Sequence, residues 1–138
     1  MEAGGIDMNL KFMSEEWIKS VADQWNTNNL IIQQDLRNFN ASWEYYIEDK
    51  PHLPHMMMVC QAGKIVFAGK KDDRKCDFEM WTTLENWKKI LNKELSGKMA
   101  LMSRKLKFKG SMMTAVKYMR AFDIHLKILG DIPVDFEI

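Results

Sequence analysis

The sequence predicts an α+β fold in which helices pack on one face of a five-stranded, largely antiparallel sheet. Two observations lead to this prediction. Apolar residues recur at helical spacing near both ends of the chain, and between residues 41 and 81 they alternate with polar residues in short runs separated by turns. Strands joined by short turns pair antiparallel, and flanking helices bury their apolar faces against such a sheet.

Ser14 is the predicted N-cap of the first helix, because two glutamates follow it where negative charge favours the helix dipole. Apolar residues spaced by four, from Trp17 to Trp25, give this helix one buried face. The asparagine-rich residues 26–29 predict its end, and residues 30–38 form a second, shorter helical segment.

The first four strands are predicted between residues 41 and 82. Residues 41–48 alternate between apolar and polar, and residues 49–55 form a proline-containing loop. Residues 56–71 form a hairpin with a glycine in its turn, and residues 76–82 alternate again as the fourth strand.

From Thr82 onward, helical spacing returns and is interrupted by one short alternating run. Residues 124–128 alternate like a strand, but Gly130 followed by Pro133 is typical of a helix end and favours a helix there. The predicted elements are a helix at 84–95 that is capped by Thr82 or Thr83 and ends before Gly97, a short helix at 98–104, a strand at 105–109, and a helix from Ser111 to about Lys127.

Length and composition place the chain among ordinary globular proteins. Its 138 residues fit one domain over residues 1–138, with a lead at 1–10 and a tail at 128–138, and 46% of them are hydrophobic. The 20 basic and 19 acidic residues exclude a nucleic-acid footprint spread over the whole protein. We expect a cytoplasmic protein, because no apolar run approaches the roughly 20 residues of a membrane span and residues 1–10 lack a secretion signal.

Methionine is unusually frequent: the chain has 12, and many lie between residues 96 and 119. Methionine fills irregular cores and also lines adaptable binding surfaces, so the count alone does not decide between a plain core and a binding site. Helical spacing of apolar residues by itself favours a plain core.

The stretch "EMWTTLENWKKILNKELSGKMALMSRKLKFKGSMMTAVKYM", residues 79–119, resembles the signature half of the sterol carrier, or non-specific lipid-transfer, protein family. It contains a strand that leads into a Thr-capped helix, a glycine, a short apolar helix, a Leu-Lys-Phe-Lys-Gly strand and a methionine-containing helix. The hairpin "QAGKIVFAG" and the segment "EEWIKSVADQWN" resemble parts of single-domain prokaryotic members. The resemblance covers most of residues 13–125.

This resemblance implies helices that enclose an apolar tunnel over the sheet and a bound lipid such as a fatty acid, a fatty acyl-CoA or a sterol. It implies neither catalytic residues nor a cofactor, so we do not expect an enzyme. The helix that begins at Ser111 is the expected gate, because a glycine precedes it and methionine packs loosely. The predicted lipid-binding residues come from two strands and from the helices above them: Phe78, Met80, Trp87, Leu91, Met99, Met102, Leu106, Phe108, Met112, Met113, Val116 and Met119.

A second function stays open at this stage, namely an interaction or accessory module that has filled its cavity and acts as a subunit or a homodimer. Trp87, Phe108 and Phe122 are bulky enough to fill it. A void of several hundred cubic ångströms would favour a carrier, since ligand pockets measure about 300–1,000 Å³, whereas a solid interior would favour the scaffold.

Lys105, Lys107 and Lys109 alternate with apolar residues next to the methionine-rich segment. They could attract an anionic bilayer surface transiently. They could equally form a solvated strand face paired with Glu79 or Glu85. Nucleic acid is not an expected partner, because no aromatic residues interleave with these lysines on the same face.

His52, His55 and Cys60 lie close together in the sequence, but their spacing matches no zinc site, so no metal is predicted. Cys60 lies in an apolar strand where a thiolate is disfavoured, so it is not predicted to be a nucleophile. Together with Cys76 it is expected to be a free, buried thiol.

Overall fold

The computed structural model describes residues 9–138, which form a five-stranded sheet, a two-stranded sheet and six helices. In chain order the elements are β1 (Leu10–Lys11), α1 (Glu15–Asn28), α2 (Leu30–Asp35), β2 (Ala41–Ile47), β3 (Met56–Gln61), β4 (Lys64–Lys70), β5 (Phe78–Thr82), α3 (Leu84–Leu91), α4 (Gly97–Met102), β6 (Lys107–Lys109), α5 (Met112–Lys117), α6 (Met119–Asp131) and β7 (Val134–Asp135).

The strand order in the large sheet is β4-β3-β2-β5-β6. Strands β2, β3 and β4 form an antiparallel meander, and β6 pairs antiparallel with β5. The central pairing of β2 with β5 is parallel, because the chain returns from β4 to the far side of β2 before β5 begins. The sheet is therefore mixed but mainly antiparallel, and the predicted α+β fold is confirmed.

Serine and threonine side chains begin four of the helices. The hydroxyl oxygens of Ser14, Thr83, Ser96 and Ser111 each accept a hydrogen bond from the backbone N–H three residues further on. These bonds satisfy donors that otherwise lack partners at a helix start. The predicted caps at Ser14 and Thr83 are thus confirmed.

The hydrophobic core lies between the inner face of the large sheet and the helices. Strand β2 contributes Trp43 and Tyr45 to it, as the two-residue alternation predicts. The largest helical contributions are Trp17 and Trp25 of α1 and Trp87 of α3, each of which is buried.

Helix α3 is shorter than the predicted helix over residues 84–95. It ends at Leu91, and Lys93 takes a left-handed backbone conformation with φ of 63°. Gly97, which the sequence places just beyond this helix, is instead the first residue of α4. Its backbone N–H donates to Asp123 of α6 at 2.7 Å, and a Cβ atom would lie 2.9 Å from the same carboxylate oxygen. Glycine therefore allows α4 to approach α6 closely.

The prediction of one continuous helix from Ser111 to Lys127 is wrong. Helices α5 and α6 take its place and meet at Tyr118, whose φ of −107° and ψ of 33° depart from helical values. Along α5 only Ala115 is buried, whereas α6 buries a face that includes Leu129. The break therefore separates a helix with little buried surface from one with an extended buried face.

Helix α6 also runs further than predicted, to Asp131. Gly130 lies within its last turn rather than beyond its end. A Cβ atom at Gly130 would lie 2.4 Å from the carbonyl oxygen of Leu91, so this glycine permits close packing of α6 on α3.

The two ends of the described chain pair with each other. Strands β1 and β7 form a short parallel ladder, and Lys11 Nζ lies 2.7 Å from a carboxylate oxygen of Asp135. The rings of Phe12 and Phe136 meet beside it, with centroids 5.4 Å apart. Two-residue strands leave no periodic pattern, so the sequence does not predict this pairing. Most of the predicted lead, residues 1–8, lies outside the described residues.

Within residues 9–138, no helix has both the length and the apolar character needed to cross a bilayer. Cys60 and Cys76 are both free and buried, as predicted.

Candidate functional site

An apolar cavity lies between the large sheet and helices α5 and α6. Its floor consists of Trp43 of β2, Phe78 and Met80 of β5, and Phe108 of β6. Its volume is about 70 Å³. The other residues around it are Trp25, Leu36, Phe39, Thr114, Ala115, Tyr118, Ala121, Phe122 and His125.

The register of the sheet brings the floor residues together. Trp43 pairs with Phe78 across the parallel ladder, and Met80 pairs with Phe108 across the antiparallel one. Alternate residues of a strand point to the same face, so these side chains all point towards the helices. Gly110 follows β6 with φ of 136°, and a Cβ atom there would lie 2.4 Å from the Phe78 ring. Only glycine lets the chain pass over Phe78 at this distance.

Aromatic rings occupy most of the space around the cavity. The centroids of Phe39 and Tyr118 lie 5.0 Å apart, and those of Phe78 and Phe108 lie 5.5 Å apart. Phe122 meets Phe108 edge to face at 6.3 Å. Because these rings interdigitate, the remaining volume is well below the roughly 300–1,000 Å³ of a typical ligand pocket.

A buried hydrogen-bonded network borders the cavity. The indole N–H of Trp43 donates to the hydroxyl oxygen of Tyr45 at 2.7 Å, and this hydroxyl also contacts Nε2 of His125. Burial raises the pKa of Tyr45 and lowers the pKa of His125 to about 3, because both charged forms would lose their hydration. Both side chains are therefore uncharged at neutral pH.

A polar cleft adjoins the cavity on the side where the partly exposed Tyr118 borders both, and we call this side the cavity mouth. In the cleft the guanidinium of Arg120 donates two hydrogen bonds to Asp35, at 2.7 and 2.6 Å. The hydrogen bond from Arg120 lowers the pKa of the Asp35 carboxyl. Arg37 lies in the same cleft and contributes a further positive charge beside the cavity mouth.

Three of the twelve predicted lipid-binding residues line the cavity, namely Phe78, Met80 and Phe108. Trp87, Leu91 and Leu106 are buried in the core without lining it. Five others are exposed on α4 and α5, and Met119 is half-buried at the start of α6; the five are Met99, Met102, Met112, Met113 and Val116. Contact of these residues with lipid stays a prediction.

Several lining residues were missed by the sequence reasoning. Trp43 could have been found, because it alternates with the buried residues of β2. Tyr118 and His125 could also have been found, because Tyr118, Phe122 and His125 recur at spacings of four and three residues and so share one helical face.

Helices α4 and α5 carry five exposed apolar side chains, which we group under the name α4–α5 surface: Met99, Met102, Met112, Met113 and Val116. Met113 is the most exposed of them, at 85%. Both helices pack against α6 and flank β6 in the chain. Isolated exposed apolar residues are ordinary, but five on two neighbouring segments are typical of an interaction surface.

The same part of the chain is strongly basic. Residues 95–122 contain seven lysines and arginines and no aspartate or glutamate. Lys107, Lys109 and Arg120 pair with Glu48, Glu79 and Asp35 respectively. Within the described residues the remaining four, Lys98, Arg104, Lys105 and Lys117, form no ion pair, so unpaired basic side chains lie on α4 and α5 and in the segment between α4 and β6.

No cluster of metal-ligating side chains occurs in the described part of the chain. Nδ1 of His55 instead lies 2.7 Å from a carboxylate oxygen of Glu44, and its ring stacks on Tyr46 at 3.9 Å. Burial raises the pKa of the Cys60 thiol to about 11, which keeps it protonated.

The family model of the SCP-2 sterol transfer family matches residues 18–123. The chain therefore belongs to the SCP-2 sterol transfer family, which is the family that the sequence resembles. No curated protein matches the chain significantly in sequence.

Solved structures show the same fold at low identity. A crystal structure of sterol carrier protein 2 is 17% identical, with a TM-score of 0.79 over 88% of this chain and 99% of that one. A Thermus thermophilus protein described as possibly a sterol carrier protein is 17% identical, with a TM-score of 0.75 over 94% of each chain. Palmitated SCP2L2 from Aedes aegypti is 17% identical, with a TM-score of 0.56 over 80% of this chain and 95% of that one.

Proposed function

We propose that the protein binds a hydrophobic ligand, such as a fatty acid, a fatty acyl-CoA or a sterol, in the cavity beneath α5, and that it carries or presents this ligand. The observation that carries the proposal is an almost wholly apolar cavity in a domain of the SCP-2 sterol transfer family. Binding removes the lipid tail from water, and each buried methylene contributes about 0.8 kcal/mol. Shielding of this kind requires no catalytic group.

The cavity must widen to hold a lipid, because about 70 Å³ is too small for one. Helix α5 is the element that moves. It has six residues, of which only Ala115 is buried, and it lies between Gly110 and the non-helical Tyr118. Displacing α5 would open the space above Phe78 and Phe108 at little cost in buried apolar area.

Transient contact with an anionic bilayer is part of the proposal. The α4–α5 surface offers apolar side chains that can enter the interface, and basic residues around it favour anionic headgroups by about 1 kcal/mol each. Because Ala115 and Tyr118 line the cavity beside Met113 and Val116, this contact would bring the mouth to the membrane. A lipid could then enter without crossing water.

The first test is direct binding. Protein purified without detergent is analysed by native mass spectrometry for co-purified lipid and is titrated with the fluorescent fatty acid cis-parinaric acid. We expect either a retained lipid or saturable binding. Folded protein that shows neither would contradict the proposal.

A pair of variants localises the site. Ala115→Phe places a ring in the cavity and should weaken cis-parinaric acid binding about tenfold or more, equivalent to roughly 1.4 kcal/mol. Val66→Phe adds a ring at an exposed position of β4, away from the cavity, and should leave the affinity unchanged. Equal effects of the two substitutions would place the ligand elsewhere.

One observation favours a second function, that of an interaction or accessory module with a filled cavity. The rings of Phe78, Phe108 and Phe122 already fill most of the interior, which leaves about 70 Å³. In that case the α4–α5 surface would bind another protein or a second copy of the chain. A stable dimer in light scattering, together with absent lipid binding, would favour this function over the carrier.

A further inference from the structure

One polar group in the cavity wall lacks a hydrogen-bond partner in the protein. The indole N–H groups of Trp25 and Trp43 donate within the protein, at 2.9 and 2.7 Å, and the hydroxyl of Thr114 donates to a serine at 3.0 Å. Tyr118 is half-exposed at the mouth. His125 is the remaining polar side chain of the cavity wall. Among residues 9–138 its Nε2 has a hydrogen-bond partner, and its Nδ1 has none.

The network behind His125 favours one of its two neutral tautomers, because only that one gives the buried Tyr45 proton a partner. The Tyr45 oxygen accepts the indole N–H of Trp43, so its own proton is available for Nε2 of His125. A neutral imidazole whose Nε2 accepts a hydrogen bond has its proton on Nδ1. His125 therefore holds an N–H donor at the edge of the cavity, and only 4% of its surface is exposed.

The rings around His125 hold it in this orientation. Its ring lies 5.8 Å from Trp25, 5.7 Å from Trp43 and 5.9 Å from Phe122, each roughly edge to face. A donor fixed in apolar surroundings is costly while it has no partner, and a ligand that supplies an acceptor removes this cost.

We propose that the Nδ1–H group of His125 selects lipids that carry an uncharged oxygen acceptor along the buried part of the molecule, such as a ketone, hydroxyl, ether or ester oxygen. This inference rests on the proposed lipid-binding function and specifies its ligand class. A purely hydrocarbon tail would leave the donor unpaired and would bind more weakly.

The charge state of the site agrees with an uncharged acceptor. Burial holds the pKa of His125 near 3, so the ring offers a donor and no positive charge at neutral pH. Tyr45 likewise stays neutral, since burial raises its pKa. A carboxylate brought to this point would be a buried, unpaired charge, which is strongly disfavoured.

The test compares octadecanoic acid with a series of octadecanoic acids that bear one ketone at successive chain positions. Each competes with cis-parinaric acid for the protein. We expect at least one ketone position to bind about tenfold more tightly than the parent acid, the gain of one hydrogen bond in an apolar site. His125→Phe should abolish this preference, measured as the ratio of the ketone and octadecanoic acid affinities in the same variant, whereas His125→Gln, which retains an N–H donor, should keep part of the preference.

The outcomes separate the two proposals. If octadecanoic acid binds but no ketone position is preferred, or if His125→Phe keeps the preference, the inference about His125 is overturned and lipid binding stands. If neither cis-parinaric acid nor octadecanoic acid binds, both proposals are overturned.

A measurement on the unmodified protein avoids dependence on the folding of the variants. With ¹⁵N-labelled histidine, the preferred ketone should shift the Nδ1 resonance of His125 and leave Nε2, which faces Tyr45, nearly unchanged. An unchanged Nδ1 resonance at saturation would overturn the inference.

Discussion

At the scale of single residues, His125 is the group that combines burial, a fixed orientation and titration. It lies in α6, which the sequence predicts as an apolar helix, and its Nε2 contacts a tyrosine from the middle of the sheet. Burial keeps His125 neutral in the folded protein, whereas His125 in the unfolded chain binds a proton once the pH falls below its ordinary pKa. This makes the free energy of unfolding depend on pH.

We predict that the protein loses stability as the pH falls below about 6.5. The pKa of His125 is about 3 in the folded protein, against 6.5 in the unfolded chain, so between these values only the unfolded state binds the proton. The contribution of His125 to stability is therefore full well above pH 6.5 and should fall by about 2 kcal/mol by about pH 5. Urea unfolding across this range measures the change.

His125→Gln is the control for this prediction, because it removes the titration and keeps His52 and His55. The variant should show a flatter pH profile over the same range. Parallel profiles for the two proteins would show that His125 is accessible to protons in the folded state.

At the scale of secondary-structure elements, the break at Tyr118 separates the sparsely buried helix α5 from the well-buried helix α6. Helix α6 buries Leu126, Ile128 and Leu129, while α5 buries only Ala115. Local opening follows the amount of buried apolar contact, so the two helices should open with different free energies. We therefore restrict the predicted gate, residues 111–127, to α5.

We predict that amides of residues 112–117 exchange faster with deuterium than those of residues 56–68, and that residues 121–129 are protected like the sheet. Adding a bound fatty acid should slow exchange in α5, because a ligand beneath it adds apolar contacts. Hydrogen exchange with mass spectrometry on the empty and loaded protein measures both effects. Unchanged exchange in α5 at saturation would place the entrance elsewhere, for example beside the loop of residues 49–55.

At the scale of the whole molecule, the charge is balanced overall but unevenly distributed. The net charge is +1, yet residues 95–122 carry seven basic side chains and no acidic ones. This segment also carries the α4–α5 surface, next to the cavity mouth. Apolar and basic groups on one side of a domain are the combination that binds anionic membrane surfaces.

We predict that the protein binds vesicles of phosphatidylcholine mixed with phosphatidylglycerol more strongly than vesicles of phosphatidylcholine alone, and that salt weakens this binding. Met113→Asp should reduce the binding about tenfold, because it places a negative charge where an apolar side chain enters the interface. Vesicle co-sedimentation measures the affinities.

Val66→Asp is the matched control, since Val66 is also an exposed apolar residue but lies on β4, at the opposite edge of the sheet from β6. It changes the net charge equally and should leave vesicle binding nearly unchanged. Equal losses in both variants would indicate a general charge effect rather than docking through the α4–α5 surface.

The sequence by itself determined the elements whose patterns are local. Hydrophobic periodicity located α1, the strands β2 to β5 and the start of α3, and the side chains of Ser14 and Thr83 cap their helices as predicted. The alternation of residues 105–109 also placed Phe108 correctly on the inner face. These features follow from side chains acting on their own backbone, so no distant residue is needed to predict them.

Only the tertiary structure decided the parallel pairing of β2 with β5, the β1–β7 ladder and the break at Tyr118. In the folded protein Met112, Met113 and Val116 are exposed, and Tyr118 and His125 line the cavity. Helical spacing specifies that a face is apolar, but which surface covers that face depends on packing between segments distant in the chain. The cavity lining is therefore a property of the assembled fold, and the sequence located only the part of it that belongs to the strands.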